Sequence, residues 1–271
     1  TRVRSSAASD VYKRQGLKMI AQKTKKIQKG LVNELTRVSK SLYLIRFTPH
    51  TPVDIKPGQF VSVLCDNLTL RRPFSVMDYE DGVISILFKK KGAGTAYISN
   101  LKQGDNVDFV GPMGNGFNIE RKKSLLISAG VGSAPVFYLH KKMDELGIDN
   151  FFASGFVSKE EIPSNLEFDM ITTDDGSEGK KGSIVNYVEG LILSFNPEKI
   201  YCCGPEIVLK LIVQTAEKHS IKTEVAMEKV MACSIGVCKG CVIKIKKDGK
   251  IQNATVCHDG PVFDGGDVVW Q

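Results

Sequence analysis

No run of about twenty apolar residues, the length a helix needs to cross a bilayer, occurs in this sequence, so no membrane-spanning helix is expected. The four histidines, His50, His140, His219 and His258, stand apart from one another without a companion nucleophile. Each is expected on the surface or in ordinary packing, and no catalytic acid–base residue is assigned. Only one C-x2-C pair is present, where structural zinc usually takes two. Disulfides would need an oxidising compartment, and nothing points to export: the first 18 residues lack the apolar centre of a signal peptide. Reduced thiols and a cytoplasmic location are the expectation. Positive charge is also scarcer than the formal +7 suggests. Arg2, Arg4, Lys13, Arg14 and Lys18 against Asp10 give residues 1–18 a charge of +4, leaving only +3 for the rest, so a nucleic-acid partner is not expected. Ser5 to Gln15 reads like adapter-derived translation. Residues 1–18 are therefore expected to be non-native or disordered, with Met19 as the start.

What is present is concentrated near the C-terminus. Cys233, Cys238 and Cys241 form C-x4-C-x2-C, and Cys257 follows after one short hairpin. That is the spacing with which four thiolates hold a plant-type [2Fe-2S] cluster, making these four the candidate metal ligands. Ser234, Gly236 and Gly240 are small enough to let a loop wrap closely and aim backbone N–H groups at sulfur. Of the other cysteines, Cys65 ends an apolar segment and reads as a core residue, and Cys202 and Cys203 are adjacent.

The chain, with 42% hydrophobic residues over 271 positions, is long enough for two domains and a small module. Short β segments separated by Pro, Gly and Asn/Asp turns run over 30–38, 42–47, 60–64, 74–78, 83–88 and 107–110, which suggests a small antiparallel barrel. A short helix is expected over 95–101. Arg72-Pro73-Phe74-Ser75 opens one strand, and an Arg followed by a hydroxyl suits a phosphate and a heteroaromatic ring. Gly92-Ala93-Gly94-Thr95 enters the helix, where backbone N–H groups suit a pyrophosphate.

From Ser124 the pattern becomes β–α alternation, which predicts a parallel sheet flanked by helices. Strands are expected over 125–129, 151–157, 170–173 and 199–203. Helices are expected over 136–146, 184–195 with Ser183 as N-cap, and from Pro205 to about 219. The turn Gly130-Val131-Gly132-Ser133-Ala134-Pro135 is a glycine turn of the nucleotide-binding type, although it ends in Pro. A ligand belongs at the carboxyl ends of the strands, where Gly130, Gly132, Asp174 and Cys203 fall. After the cysteine loop a hairpin turning at Lys247-Asp248-Gly249-Lys250 returns Cys257 to its fellows. Pro261-Val262-Phe263 and Val268-Val269-Trp270 are apolar enough to cover the cluster or meet a partner, Trp270 packing the module on the sheet.

Together these motifs resemble the ferredoxin–NADP reductase superfamily, and within it the electron-transfer subunits of NAD-dependent (class 1B) dihydroorotate dehydrogenases. The resemblance runs from about residue 27 to the end. It implies a multidomain α/β plus β chain: an FAD-binding β-barrel over 27–120, a Rossmann-like NAD-binding α/β domain over 121–222 and a [2Fe-2S] module over 223–271. Carried onto this sequence, it implies that Arg72, Pro73, Phe74 and Ser75, with Leu87, Phe88 and Lys89 and the turn Gly94-Thr95, bind FAD. Gly130, Gly132 and Cys203 would attend the nicotinamide nucleotide, and Thr173 to Ser177 with Lys181-Gly182 would lie near it. The implied partner is a dihydroorotate dehydrogenase catalytic subunit carrying FMN, in a heterotetramer, with electrons leaving through the cluster and FAD to NAD+ in pyrimidine biosynthesis. No Arg/Lys pair for a 2′-phosphate stands out, which favours NAD. Other readings are a reductase subunit of a hydrogenase, glutamate synthase-like or bifurcating transhydrogenase complex, or a four-cysteine sensor. Two departures from the pattern are Ser234, where glycine is expected after the first ligand, and Val230, where a basic residue is usual.

Overall fold

The computed structural model describes residues 27–66 and 68–270. The expectation for residues 1–18 therefore lies outside the described residues. The first unit is built from β1 (Ile27–Arg37), β2 (Leu42–Pro49), β3 (Phe60–Val63), β4 (Arg72–Ser75), β5 (Asp78–Glu80), β6 (Val83–Lys89), the short helix α1 (Ala93–Ile98) and β7 (Asn106–Met113). All its pairings are antiparallel, in the order β4-β3-β7-β1-β2-β6-β5. Alternation along β2 turns Ile45 and Phe47 inward and Arg46 and Thr48 outward, as a sheet with one wet face requires. The sheet curls until Phe74 of β4 and Phe88 of β6 meet edge to face, with ring centroids 5.7 Å apart.

One expected strand, 74–78, is two strands. After Ser75 the chain changes partner: Val76 N–H donates to Gln59 O beside β3, and Met77 N–H to Ser85 O on β6. A segment that bonds one neighbour and then another turns a barrel corner, which alternation alone does not reveal.

The second unit carries β8 (Ser124–Ala129), α2 (Ser133–Glu145), β9 (Asn150–Phe156), β10 (Met170–Thr173), β11 (Lys180–Lys181), α3 (Val188–Phe195), β12 (Lys199–Cys203), α4 (Glu206–Lys218) and β13 (Lys222–Ala226). A hairpin, β14 (Val242–Lys247) and β15 (Lys250–Thr255), follows, and then β16 (Val262–Asp264). The sheet order is β11-β10-β9-β8-β12-β13-β16, parallel throughout except for the β13–β16 pair. Pro135 lies in the first turn of α2, where its missing N–H leaves no bond unmade. The expected helix over 184–195 begins as a 3-10 turn, Ile184–Tyr187, before α3, and Ser183 makes no side-chain cap bond. At the hairpin tip Asp248 and Gly249 both take positive φ, the backbone of a tight two-residue turn.

The division at residue 222 does not follow the sheet. β13 extends the parallel sheet beyond β12, and β16, well inside the expected cluster module, closes that same edge. Val225 and Phe263 on these strands share a buried cluster with Cys241, Ile243 and Cys257 of the loop and hairpin, so the module is rooted in the nucleotide sheet. Phe263 thus serves the sheet edge. Trp270 packs against this cluster and donates its Nε1–H to Gly265 O, as expected of a residue that docks the module. No described helix is long and apolar enough to cross a membrane.

An ion cluster ties the connection between the two units to β12 and β13. Lys199 is 3% exposed, and its Nζ reaches Glu120 Oε1 at 2.5 Å and Glu224 Oε1 at 2.7 Å. Hydrogen bonds from Lys122 and Lys199 hold the Glu120 carboxyl down at about 2, against the opposing pull of burial. Because the folded pKa lies below the ordinary 4.5, this carboxylate stabilises the fold fully above pH 4.5, and the contribution is lost as pH falls towards 2. Glu120→Gln is expected to lower the urea midpoint at pH 6, and the gap to the unmodified protein is expected to narrow steadily as pH falls from 4.5 towards 2. A constant gap across that range would count against the linkage.

Candidate functional site

Two clefts open between the units. The smaller, about 220 Å³, is walled by Phe60, Pro73, Phe74, Leu87 and Phe88, with Ser75, Lys89, Lys91, Glu228 and Lys229 as polar members. Six of the expected flavin residues, Pro73, Phe74, Ser75, Leu87, Phe88 and Lys89, come together here because β4 and β6 meet where the barrel closes. Among the described residues the Ser75 hydroxyl makes no hydrogen bond, so it is available to a ligand in a cleft of aromatic and aliphatic walls. A planar heteroaromatic ring with hydrogen-bonding edges fits this chemistry.

Arg72, Gly94 and Thr95 lie beside this cleft and do not line it. A Cβ on Gly94 would stand 2.9 Å from Arg72 Cγ and Nε, so the glycine makes room for the arginine stem. The Thr95 hydroxyl accepts N–H bonds from Lys91 at 2.8 Å and Gly92 at 3.1 Å, and donates to Gly92 O at 3.0 Å. Its visible task is to fold the glycine turn onto α1. Arg72 Nη1 donates to Leu70 O at 2.6 Å and to Arg71 O at 3.5 Å, which leaves Nε and Nη2 without a hydrogen-bond partner among the described residues.

The larger cleft, about 480 Å³, lies at the carboxyl ends of the parallel strands, where such sheets bind nucleotides. Gly130, Val131, Gly132, Gly155, Asp174 and Gly204 line it. The two turn glycines serve different needs. Gly130 has φ +56 and nothing within 4 Å of a would-be Cβ, so it is open to the cleft. Gly132 would put a Cβ 2.5 Å from Cys203 O, and it lets the turn pack on the end of β12.

Cys203 is not on the wall; Gly204 takes that place. The cysteine is 3% exposed, packed with Tyr201 and Leu126. Burial, reinforced by the negative charge of Glu228, pushes its thiol well above the ordinary range, so it stays protonated. The reason is strand alternation: the last residue of β12 points into the core and only the following turn reaches the ligand. Of the loop Thr173 to Ser177, only Asp174 lines the cleft, and Asp175 is occupied by Ser177.

Lys89, Lys91, Val131 and Glu228 line both clefts, which makes them one continuous site. Glu228 follows β13, and crowding by surrounding atoms raises its carboxyl above the ordinary value while Lys91 opposes the rise. Lys91, Met227, Glu228 and Met231 were not legible as site residues. Three of them follow the unrecognised strand β13, which would have been the only signal for them.

The four C-terminal cysteines form two pairs. Cys238 N–H donates to Cys233 Sγ at 3.4 Å, and those two side chains also meet. Cys257 N–H donates to Cys241 Sγ at 3.4 Å, again with side-chain contact. Gly236 N–H reaches across to Cys257 Sγ at 3.1 Å. Gly236, at φ +88, is needed there because a Cβ would meet His258 Cβ at 2.8 Å.

Among the described residues no three His, Cys, Asp or Glu side chains gather around a single-ion position. Two thiol pairs facing one another suit two irons with two thiolates each, and the aimed N–H groups suit anionic sulfur. Burial pushes Cys257 up to about 12, with Cys241 adding to the rise. Burial also acts on Cys233, but N–H groups of Cys238, Ile235 and Val237 overrule it and bring that thiol to about 6. The inner pair is buried, whereas Cys238 is exposed between Val237 and Lys239. None of the four histidines lines either cleft.

The profile described as "Oxidoreductase FAD-binding domain" matches residues 29–117, and that described as "Iron-sulfur cluster binding domain of dihydroorotate dehydrogenase B" matches residues 228–269. With the cleft between barrel and parallel sheet, these make the chain a flavin-type oxidoreductase subunit with an iron–sulfur module. It is 36% identical over 244 residues to the dihydroorotate dehydrogenase B (NAD(+)) electron transfer subunit of Caldanaerobacter subterraneus subsp. tengcongensis, covering 86% of this chain and 95% of that one. To the protein of the same description from Fusobacterium nucleatum subsp. nucleatum it is 32% identical, covering 90% and 98%. The chain belongs to the family of dihydroorotate dehydrogenase B electron transfer subunits. Among solved structures, one from work on flavin-based electron bifurcation by an NADH-dependent reduced ferredoxin-NADP oxidoreductase superposes with a TM-score of 0.79 at 26% identity, covering 89% of this chain and 90% of that one.

Proposed function

We propose that this chain passes electrons from a dihydroorotate dehydrogenase catalytic subunit through a [2Fe-2S] cluster and FAD to NAD+, acting in the cytoplasm in pyrimidine biosynthesis as a subunit of a heterotetramer. The observation that carries the reading is contiguity. Met231, two residues before Cys233, lines the flavin cleft, and that cleft shares Lys89, Lys91, Val131 and Glu228 with the nucleotide cleft. Three sites in contact form a path.

A flavin is the group that exchanges single electrons with an iron–sulfur centre and a hydride with a nicotinamide. The residues of this chain hold and order the parts. Cys233, Cys238, Cys241 and Cys257 would ligate the cluster. Pro73, Phe74, Leu87 and Phe88 would clamp the flavin ring, with Ser75 at a ring nitrogen and Arg72 on the phosphates. Gly130 and Gly132, both on the cleft wall, would let the dinucleotide approach the backbone, with Cys203 supporting the turn from behind through its close approach to Gly132. In this reading the flavin unit spans 27–120 and the nucleotide unit runs from 121 through β13 and includes β16. The exposed edge at Cys238, next to the exposed apolar side chain of Val237, would face the catalytic subunit.

The test is co-expression with the catalytic subunit of the same organism. The expected product is a coloured complex with about two irons per chain of this type that oxidises dihydroorotate only when NAD+ is supplied. A chain that oxidises NADH yet never associates with that subunit would have a different electron donor. A colourless, iron-free chain from an anaerobic preparation would end the relay reading altogether.

A further inference from the structure

Ser234 is an anomaly in the cluster loop. Its φ is +58, the left-handed region that glycine takes freely and other residues enter at a cost, yet it carries a side chain and is 2% exposed. A buried hydroxyl needs a partner. It has one: Ser62 Oγ lies 3.0 Å away and is itself wholly buried.

Ser62 belongs to the other unit. It sits on β3 directly opposite Pro73 of β4, two residues from Phe60, and both Phe60 and Pro73 line the flavin cleft. Ser234 follows Cys233 without a gap. The Ser62–Ser234 bond therefore runs from the residue beside the first candidate ligand to the strand that backs the candidate flavin wall. Other fastenings between module and barrel lie on the Cys257 side. Asn115 N–H donates to Gly260 O at 2.7 Å, its Nδ2 to Val262 O at 2.8 Å and Asp259 O at 3.4 Å, and Val262 N–H donates back to Asn115 Oδ1 at 2.9 Å. Phe60, Val110 and Met113 share a buried cluster with Cys241 and Cys257.

We propose that Ser62 and Ser234 are positioning residues for electron transfer: their buried hydroxyl pair pins the Cys233 side of the cluster loop to the flavin wall. The proposal rests on the relay reading above and adds to it the contact that sets the spacing between its two redox sites. Ser234 keeps a strained backbone because its hydroxyl supplies this tie, which a glycine there would lack.

Three variants of the full holoprotein test it: Ser62→Ala, Ser234→Gly and the double substitution. Urea midpoints read the bond itself. Ser62→Ala leaves Ser234 buried, strained and unpaired and is expected to lower the midpoint. The double variant removes both hydroxyls and the strain and is expected to recover it, so the cycle is strongly non-additive. Additive midpoints would overturn the bond.

Anaerobic rapid mixing with NADH reads positioning. Flavin bleaching is expected at the unmodified rate in every variant. Bleaching of the cluster bands is expected to slow roughly tenfold in Ser62→Ala and to stay slow in the double variant, as a loosened reaction geometry predicts. Recovery of the cluster rate together with the midpoint in the double variant would reduce the pair to a structural bond and overturn the proposal. Failure of NADH to bleach the flavin of the unmodified protein would instead overturn the relay reading, and the urea cycle would still decide whether the tie exists.

Discussion

Replacing Cys241 with alanine is expected to leave a yellow protein without its iron. Cys241 is 2% exposed, pairs with Cys257 and sits within the hydrophobic cluster that roots the module in the nucleotide sheet. Alanine in such a place is tolerated by packing but withdraws one of four thiolates. Removing a mere supporting partner of a ligand costs about 10–100-fold in metal affinity, and removing the ligand itself exceeds that. Iron should fall from about two per chain to a trace, and dihydroorotate-driven NAD+ reduction should be lost with it.

The flavin cleft lies on other elements, so NADH oxidation by a dye that accepts electron pairs should persist. Cys65→Ala is the control: that thiol is equally buried but lies in the barrel, against Gly94 O, and its loss should leave iron unchanged. Retention of full iron content in Cys241→Ala would remove Cys241 from the ligand set.

The second large effect is expected at Gly132, in contrast with its neighbour Gly130. Gly132 has φ −61, which any residue adopts, so the obstacle is space. A Cβ would stand 2.5 Å from Cys203 O and 2.9 Å from Gly204 N, and a backbone cannot yield as a side chain does. Gly132→Ala should therefore force β12 and the turn after it apart, at a cost of about 1–3 kcal/mol typical of overpacking. The NADH KM should rise as Gly204, on the cleft wall, is displaced. Gly130→Ala meets no atom, so its stability cost is limited to about 1–2 kcal/mol of left-handed strain. Its methyl group enters the cleft, so the NADH KM should rise without loss of bound flavin. Urea midpoints and NADH saturation curves decide the matter. An unchanged midpoint for Gly132→Ala would show that the turn does not rest on β12.

How much of this was legible in the sequence depended on whether the information was local. The set of four cysteines follows from spacing within one loop and one hairpin, and the Asp248-Gly249 turn that returns Cys257 reads directly from its residues, whereas their division into two pairs does not. Pro73 to Ser75 and Leu87 to Lys89 were legible as two motifs, although only closure of the barrel shows that they wall one cleft. Lys91, Glu228 and Met231 were not legible, because they reach the site through strand order. The three-residue strand Val262–Asp264 carries no periodicity, and it is a strand only because β13 offers it an edge. Cys203 was read as lying by the nucleotide, whereas its side chain is buried behind the cleft wall that Gly204 forms. A strand-end residue and its successor differ by one position along the chain, but by a full reversal of direction across the sheet.

The antiparallel strand Val262–Asp264 has a consequence for how such a protein can be rebuilt. The electron-carrying tail leaves the parallel layer after Ala226 and comes back to it, so it is stitched into its host at both ends. Severing the chain at residue 222 would take two strands from the host layer and bare the flank of β12. Any hybrid reductase, natural or engineered, has to exchange the tail together with that border, or graft a foreign loop between Met227 and Pro261.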